Sequence, residues 1–261
     1  MLTYLEANTA KADRYGVLFL HAFPLSASMW QPQLESLGEA GLRVIAPNAW
    51  GIEGSEEKES WSFTDYAHEI ARLLESLNIG RVTIVGLSMG GYQAFECYRL
   101  FPEKIASLVL CDTRAEEDTP EARSGREVFI HAVESGGADE AAGRMVPNFF
   151  TAESYEIKPE LVARAEAMIT RQSAKAINAT MRAIMMRHDA TSLLASIHCP
   201  VLVLNGTEDK ITTPATAKSI SSAIAGSQLR LLAGAAHISN MEQPAAFACE
   251  LLEHIENVRR G

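Results

Sequence analysis

The sequence predicts an α/β fold, a doubly wound, mostly parallel sheet carrying a helical insertion. Three observations predict it. Short apolar runs bounded by turn residues recur along the chain, longer amphipathic stretches separate them, and one long interval holds helix-like segments alone. Continuous apolar runs mark strands buried on both faces, and their alternation with helices over short connections marks a parallel sheet.

In chain order, the first run is 17–21 (VLFLH), and the N-terminus leaves room for about one strand before it. A helical pattern at 30–39 follows, then a strand at 43–47 (RVIAP). The stretch 66–77 (YAHEIARLLESL) places Ile70, Leu73, Leu74 and Leu77 at helical spacing, with Thr64 and Asp65 suited to its N-terminus. A strand at 82–86 (VTIVG) leads into a helix at 90–101 and a strand at 108–112 (LVLCD). Strands at 201–206 (VLVLNG) and 228–232 (QLRLL) close the pattern, with helices at 215–224 and 244–258.

From about Thr113 to His188 no strand pattern appears, only helix-like pieces at 159–172 and 174–187. The expected organisation is a core of residues 1–112 and 189–261 with a helical cap, residues 113–188, inserted in it. The stretch DTRAEEDTPEARSGRE at the start of the insertion is dense in charge and is expected to be exposed.

A chain of 261 residues can bury one large core. The net charge of −10 repels phosphate backbones and anionic lipid, and no Lys/Arg run is present, so neither nucleic acid nor a membrane surface is an expected partner. The first sixteen residues show no basic segment followed by an apolar run, and no stretch approaches a membrane span. A cytoplasmic protein is the expectation; the oligomeric state is not legible. Cys97, Cys111, Cys199 and Cys249 show no CxxC spacing, and the last three lie in apolar surroundings, which reads as buried free thiols.

Gly86-Leu87-Ser88-Met89-Gly90 follows one predicted strand and opens a predicted helix. On such a turn the serine is exposed at a sheet edge and flanked by glycines that avoid steric clash, while the helix N-terminus offers N–H groups to developing negative charge. A Gly-rich turn with an incidental serine would share the five residues but not this context. A serine hydroxyl is a weak nucleophile, so it needs a base, and the base needs an orienting acid. His237 lies on a loop just past the last strand, able to reach a serine at the same edge. His68, His131, His188, His198 and His254 lie away from the strand ends, and His21 reads as a structural histidine holding its own loop. Asp209 follows the strand at 201–206 and is the preferred acid; Asp112, at the end of another strand, competes with it. The oxyanion donors expected are the N–H groups of Met89 and Phe23, the latter on the loop after the first run. No metal-ligand spacing is present, and no metal or organic cofactor is expected.

These motifs resemble the α/β-hydrolase family across nearly the whole chain, above all its carboxylesterases and the related lactonases and cofactor-free haloperoxidases. HAFPLSASMWQPQ is similar to the family's oxyanion loop, GLSMGGY to its nucleophile elbow, VLVLNGTED to its acid loop and AAHISNMEQP to its histidine loop. The order Ser, Asp, His is the family's. LVLCDTRAEEDTPEARSGR resembles the cap entry of small bacterial esterases. Two departures stand out. Ala22 replaces a glycine, which requires a negative φ there, and Asn48-Ala49-Trp50-Gly51-Ile52-Glu53-Gly54-Ser55 replaces a D-x-R-G-x-G-x-S loop, which implies a reshaped rim.

The resemblance and the three residues imply hydrolysis of small carboxylic esters through an acyl-enzyme on Ser88. A lactonase uses the same residues, and a ligand-binding protein on the same fold is the alternative without turnover. Phe149, Phe150, Met168, Met185 and Met186 suggest an apolar acyl pocket, of which Phe149, Phe150 and Met185 are the candidate lining; packing of the cap helices explains them equally.

Overall fold

A computed structural model describes residues 1–8 and 14–260. Its strands are β1 (Tyr4–Ala7), β2 (Tyr15–Leu20), β3 (Val44–Pro47), β4 (Arg81–Leu87), β5 (Ile105–Cys111), β6 (Val201–Gly206) and β7 (Gln228–Leu232). They form one sheet in the order β1-β3-β2-β4-β5-β6-β7, parallel throughout except for β1, which runs antiparallel to β3. The six expected strands are present, and the single strand for which the N-terminus had room is β1. Residues 9–13, between β1 and β2, are outside the described residues.

The central strands are buried along their length, from Val82 to Leu87 in β4 and throughout β5 and β6. Burial at consecutive positions requires cover on both faces. The helices α1 (Gln31–Glu39), α2 (Phe63–Ser76) and α3 (Met89–Leu100) come before β5. Helix α2 begins three residues earlier than its apolar spacing suggests, because Ser62 caps it: its hydroxyl accepts the N–H of Asp65, whose carboxylate accepts the N–H of Ser62.

Between β5 and β6 lie α4 (Pro120–Met145), α5 (Ala152–Ile157), α6 (Pro159–Thr170), α7 (Ala174–Met185) and α8 (Thr191–Leu194), with no strand among the described residues. Helices α6 and α7 match the two expected pieces. Helix α4 was not expected, and its glycines explain why: four of them dilute its helix propensity, and at Gly137 (φ 71°) the chain kinks. The charged stretch that opens the insertion is mostly exposed, but Asp112, Thr113, Ala115 and Asp118 within it are buried, against expectation; Asp118 is held there by two arginines.

The chain closes with α9 (Pro214–Ala223), the short α10 (Ser239–Glu242) and α11 (Pro244–Arg260), which packs against α1. The thiols are free, yet the expected burial holds only for Cys97 and Cys111; Cys199 is partly buried and Cys249 is exposed on the outer side of α11. No helix of the described residues is long and apolar enough to cross a membrane.

The register places the functional candidates. Leu87 pairs with Cys111, Cys111 with Leu204, and Gly206 with Leu232, so β4 to β7 end at one edge. The residues that follow, Ser88, Asp112, Asp209 and His237, emerge there together.

Candidate active site

Ser88 sits between β4 and α3 in a left-handed conformation, φ 55° and ψ −111°. A non-glycine residue there carries strain of about 1–3 kcal/mol and persists only where the surroundings enforce it. Its N–H donates to the carbonyl of Cys111 (2.9 Å), and its carbonyl accepts from the Thr113 hydroxyl (2.8 Å) and the Gly91 N–H (2.9 Å). The flanking glycines are sterically required. A Cβ on Gly86 would lie 2.2 Å from the Gly90 carbonyl oxygen, and one on Gly90 2.1 Å from that of Leu20.

The turn aims the Ser88 hydroxyl at His237, whose Nε2 accepts from Oγ at 2.9 Å. On the far side of the ring, Nδ1–H donates to Oδ2 of Asp209, also at 2.9 Å. The side chains of His237 and Asp209 are almost wholly buried, 4% and 0% exposed. Burial raises the pKa of Asp209, but the hydrogen bond and charge of His237, with the bonds from Thr212, outweigh it and hold the carboxyl below its usual value. Thr212 donates its hydroxyl to Oδ2 (2.6 Å), while the N–H groups of Ile211 (2.7 Å) and Thr212 (3.0 Å) donate to Oδ1. Thr212 escaped the sequence reading; a threonine three residues after an aspartate is a weak turn signal that could have drawn attention to it.

Asp112, the competing acid, does not touch His237. It is fully buried, accepts the N–H of Gly206 (2.8 Å) and pairs with the Ser239 hydroxyl. His21 also turns out to be a bracing residue. Its Nδ1–H donates to the Ala22 carbonyl and its Nε2 accepts the Ala49 N–H, while burial pushes its pKa down to about 4.

A cavity of about 70 Å³ opens onto Ser88 and His237. Phe23 and Met89, the expected oxyanion donors, line it, as do Tyr92, Met145, Ile184 and Ile211. Phe149, Phe150 and Met185 are not in its wall. Phe149 is fully buried beside the His237 imidazole, with ring centroids 6.4 Å apart, and its carbonyl accepts the N–H of Ile238. Phe150 packs edge-on against Phe149 and Tyr155. Met185 is partly buried against the core at the end of α7. Phe149 and Phe150 thus pack beside the histidine loop.

The departures in the sequence have local accommodations. Ala22 is not among the residues with positive φ, so its methyl group is tolerated. Much of the loop at 48–55 is buried: Asn48 accepts the Ala27 N–H, and Trp50 packs edge-on against Trp61 and Tyr66. Glu242, within the histidine-loop motif but given no role from the sequence, is buried and accepts three hydrogen bonds. Two come from the N–H and hydroxyl of Thr151 and one from the N–H of Ala236, the residue before His237. Among the described residues, no group of three or more His, Cys, Asp or Glu side chains is placed to hold a metal ion.

A serine hydroxyl, an imidazole and a carboxylate are thus linked by hydrogen bonds beside a helix N-terminus. Residues 17–251 match the Alpha/beta hydrolase family. The chain belongs to that family. Among its relatives, 3-oxoadipate enol-lactonase 2 of Acinetobacter baylyi is 27% identical over 92% of this chain and 88% of its own. Among solved structures, a thermophilic esterase from Thermogutta terrifontis superposes with a TM-score of 0.93 at 32% identity, covering 98% of this chain and 93% of that one. The enol-lactonase of Burkholderia xenovorans superposes with a TM-score of 0.88 at 26% identity, covering 98% and 96%. The protein is therefore an α/β-hydrolase whose relatives include both esterases and enol-lactonases.

Proposed function

We propose that this α/β-hydrolase is a serine esterase that cleaves small carboxylic esters through an acyl-enzyme on Ser88. The observation that carries the reading is the continuous hydrogen-bonded chain from Asp209 through His237 to Ser88, which opens onto a cavity. In this reading residues 113–188 cap a core formed by 1–112 and 189–261.

His237 takes the proton of Ser88 Oγ as that oxygen attacks the ester carbonyl carbon. The carbonyl oxygen gains negative charge and is received by the N–H groups of Met89 and Phe23. The tetrahedral species collapses, the C–O bond to the alcohol breaks, and His237 gives its proton to the leaving oxygen. Water then attacks the acyl-enzyme with His237 again as base, releasing the acid and restoring Ser88. Asp209 keeps the imidazole in the Nδ1–H tautomer and stabilises the imidazolium.

Lactone hydrolysis by the same steps is the second reading, favoured by the likeness to the two enol-lactonases. Labelling with a fluorophosphonate probe tests what the two readings share. Covalent modification mapping to Ser88 is expected; a protein that is folded yet unlabelled points to ligand binding without turnover. A comparison of short-chain esters with δ-lactones of equal carbon number then separates the two.

A further inference from the structure

The cavity at Ser88 has a single permanently charged side chain in its wall, Arg126 of α4. Nothing in the ester chemistry above requires a cation there. Arg126 is tied by its own anchor: Nε and Nη2 donate to the two oxygens of Asp118 at 2.5 and 3.0 Å, a two-pronged bond that fixes the guanidinium plane. The remaining nitrogen, Nη1, faces only the thioether of Met181 at 3.4 Å, a weak acceptor.

Asp118 does not neutralise this cation alone, because it is shared. Arg187 Nη1 lies 2.8 Å from the same carboxylate, so two guanidinium groups meet one carboxylate and the cluster holds an excess positive charge. Arg187 and Asp118 are set deep, their side chains 3% and 2% exposed, while Arg126 keeps 25% of its side chain accessible. Arg187 Nε is buried with no acceptor, and its guanidinium lies over the ring of Tyr92, 4.4 Å from the centroid. Tyr92 is itself a wall of the cavity. Asp189, which also feels Arg187, is exposed and already accepts the N–H groups of Glu117 and Thr191.

An uncompensated charge held out of water is costly unless a counter-ion completes it. The cavity is small, about 70 Å³, and both Ser88 and Arg126 line it, so one short molecule can meet both. Resting on the hydrolase reading above, we propose that Arg126 receives a carboxylate of the substrate. The favoured substrates are then short esters or lactones with a second, free carboxylate, such as half-esters of four- or five-carbon dicarboxylic acids. The carboxylate takes no part in bond making. It is held by Nη1 of Arg126 while Ser88 attacks the ester carbonyl at the other end. Arg187 and Asp118 act as positioning residues, which fix Arg126 and leave its positive charge in excess.

The test compares kcat/KM for mono-p-nitrophenyl glutarate with that for p-nitrophenyl pentanoate, esters of equal chain length that differ in the terminal carboxylate. The wild type is expected to favour the anionic ester at least 10-fold, chiefly through KM. In Arg126→Gln the ratio is expected to fall by roughly 10–100-fold, as loss of a charge-assisted hydrogen bond requires. A purely structural arginine would lower both rates together and leave the ratio unchanged. Because Arg126→Gln also loosens Asp118, wild-type protein provides an independent readout. Glutarate should inhibit competitively at concentrations at least 10-fold below 1,5-pentanediol, and added salt should weaken it. Ser88-dependent turnover without preference for the anionic ester, or inhibition by the diol as strong as by glutarate, overturns the carboxylate site and leaves the hydrolase reading intact. Failure to turn over either ester, with no labelling of Ser88, overturns both.

Discussion

Asp112 and Asp209 follow adjacent strands of the sheet, and their carboxyl groups are driven in opposite directions. Burial and the charge of Asp209 push the pKa of Asp112 well above the usual carboxylate value, against the bonds it accepts from Ser239 and Gly206. Asp209, equally enclosed, is held below that value by His237 and Thr212. Charge is thus favoured on the acid that faces the imidazole and disfavoured on the neighbour that braces the loops.

The two should respond differently to the same substitution. Asp209→Asn is expected to lower kcat/KM by roughly 10³–10⁴-fold, because an amide fails to stabilise the imidazolium and favours the wrong tautomer. Asp112→Asn keeps an acceptor for Gly206 and offers the Ser239 hydroxyl an amide N–H in place of the oxygen it donates to, so its kcat/KM should stay within about tenfold of wild type. A loss at Asp112 as severe as that at Asp209 would contradict the assignment.

The same substitution carries a pH signature. A carboxyl whose pKa is raised in the fold binds a proton that the unfolded chain has released. Its contribution is present below the unfolded value, about 3.9, and is lost as pH rises toward the folded value. Asp112→Asn should therefore become more stable relative to wild type as the buffer is moved from pH 4 to pH 8, as read by urea unfolding.

Acid should also weaken the wild type through two histidines. Burial lowers the pKa of both His21 and His254 to about 4, so the fold keeps them neutral where the unfolded chain takes up protons. Stability is expected to fall between pH 6.5 and pH 4, by at most roughly 3 kcal/mol for each residue. Chemical denaturation at pH 7, 5.5 and 4.5 would show the decline; His254→Leu should flatten it.

Glu242 joins the histidine loop to Thr151 and makes the third prediction about the site. Glu242→Gln turns an amide NH2 toward an N–H that now finds a carboxylate oxygen, at a buried position. Leaving such a donor unsatisfied costs about 1–3 kcal/mol. A fall in Tm is expected together with a lower kcat, because the Ala236 N–H no longer anchors the residue before His237. Thr151→Val, which leaves the bond to Ala236 in place, should lower Tm with a smaller effect on kcat.

Much of this was readable from residue patterns. The six apolar strands stand out because parallel strands buried on both faces have no polar alternation to confuse them. Ser88, Asp209 and His237 were legible because each follows a strand, and the parallel register brings those strand ends to one edge. Residues whose importance comes from partners distant in sequence were not legible. Asp118 sat in a charged stretch that reads as solvated, and only Arg126 and Arg187, brought in by α4 and the end of α7, make it a buried anchor. Helix α4 was hidden by its glycines, and at Phe149 and Phe150 composition cannot tell a lining ring from a packed one.

The central claim is that Ser88 is the nucleophile, and hydrolysis of p-nitrophenyl acetate and butyrate by wild type and Ser88→Ala, side by side, tests it most directly. Turnover by the wild type and a loss of at least roughly 10³-fold in the variant are expected. Equal rates in the two proteins would contradict it, and the mechanism built on Ser88 with it.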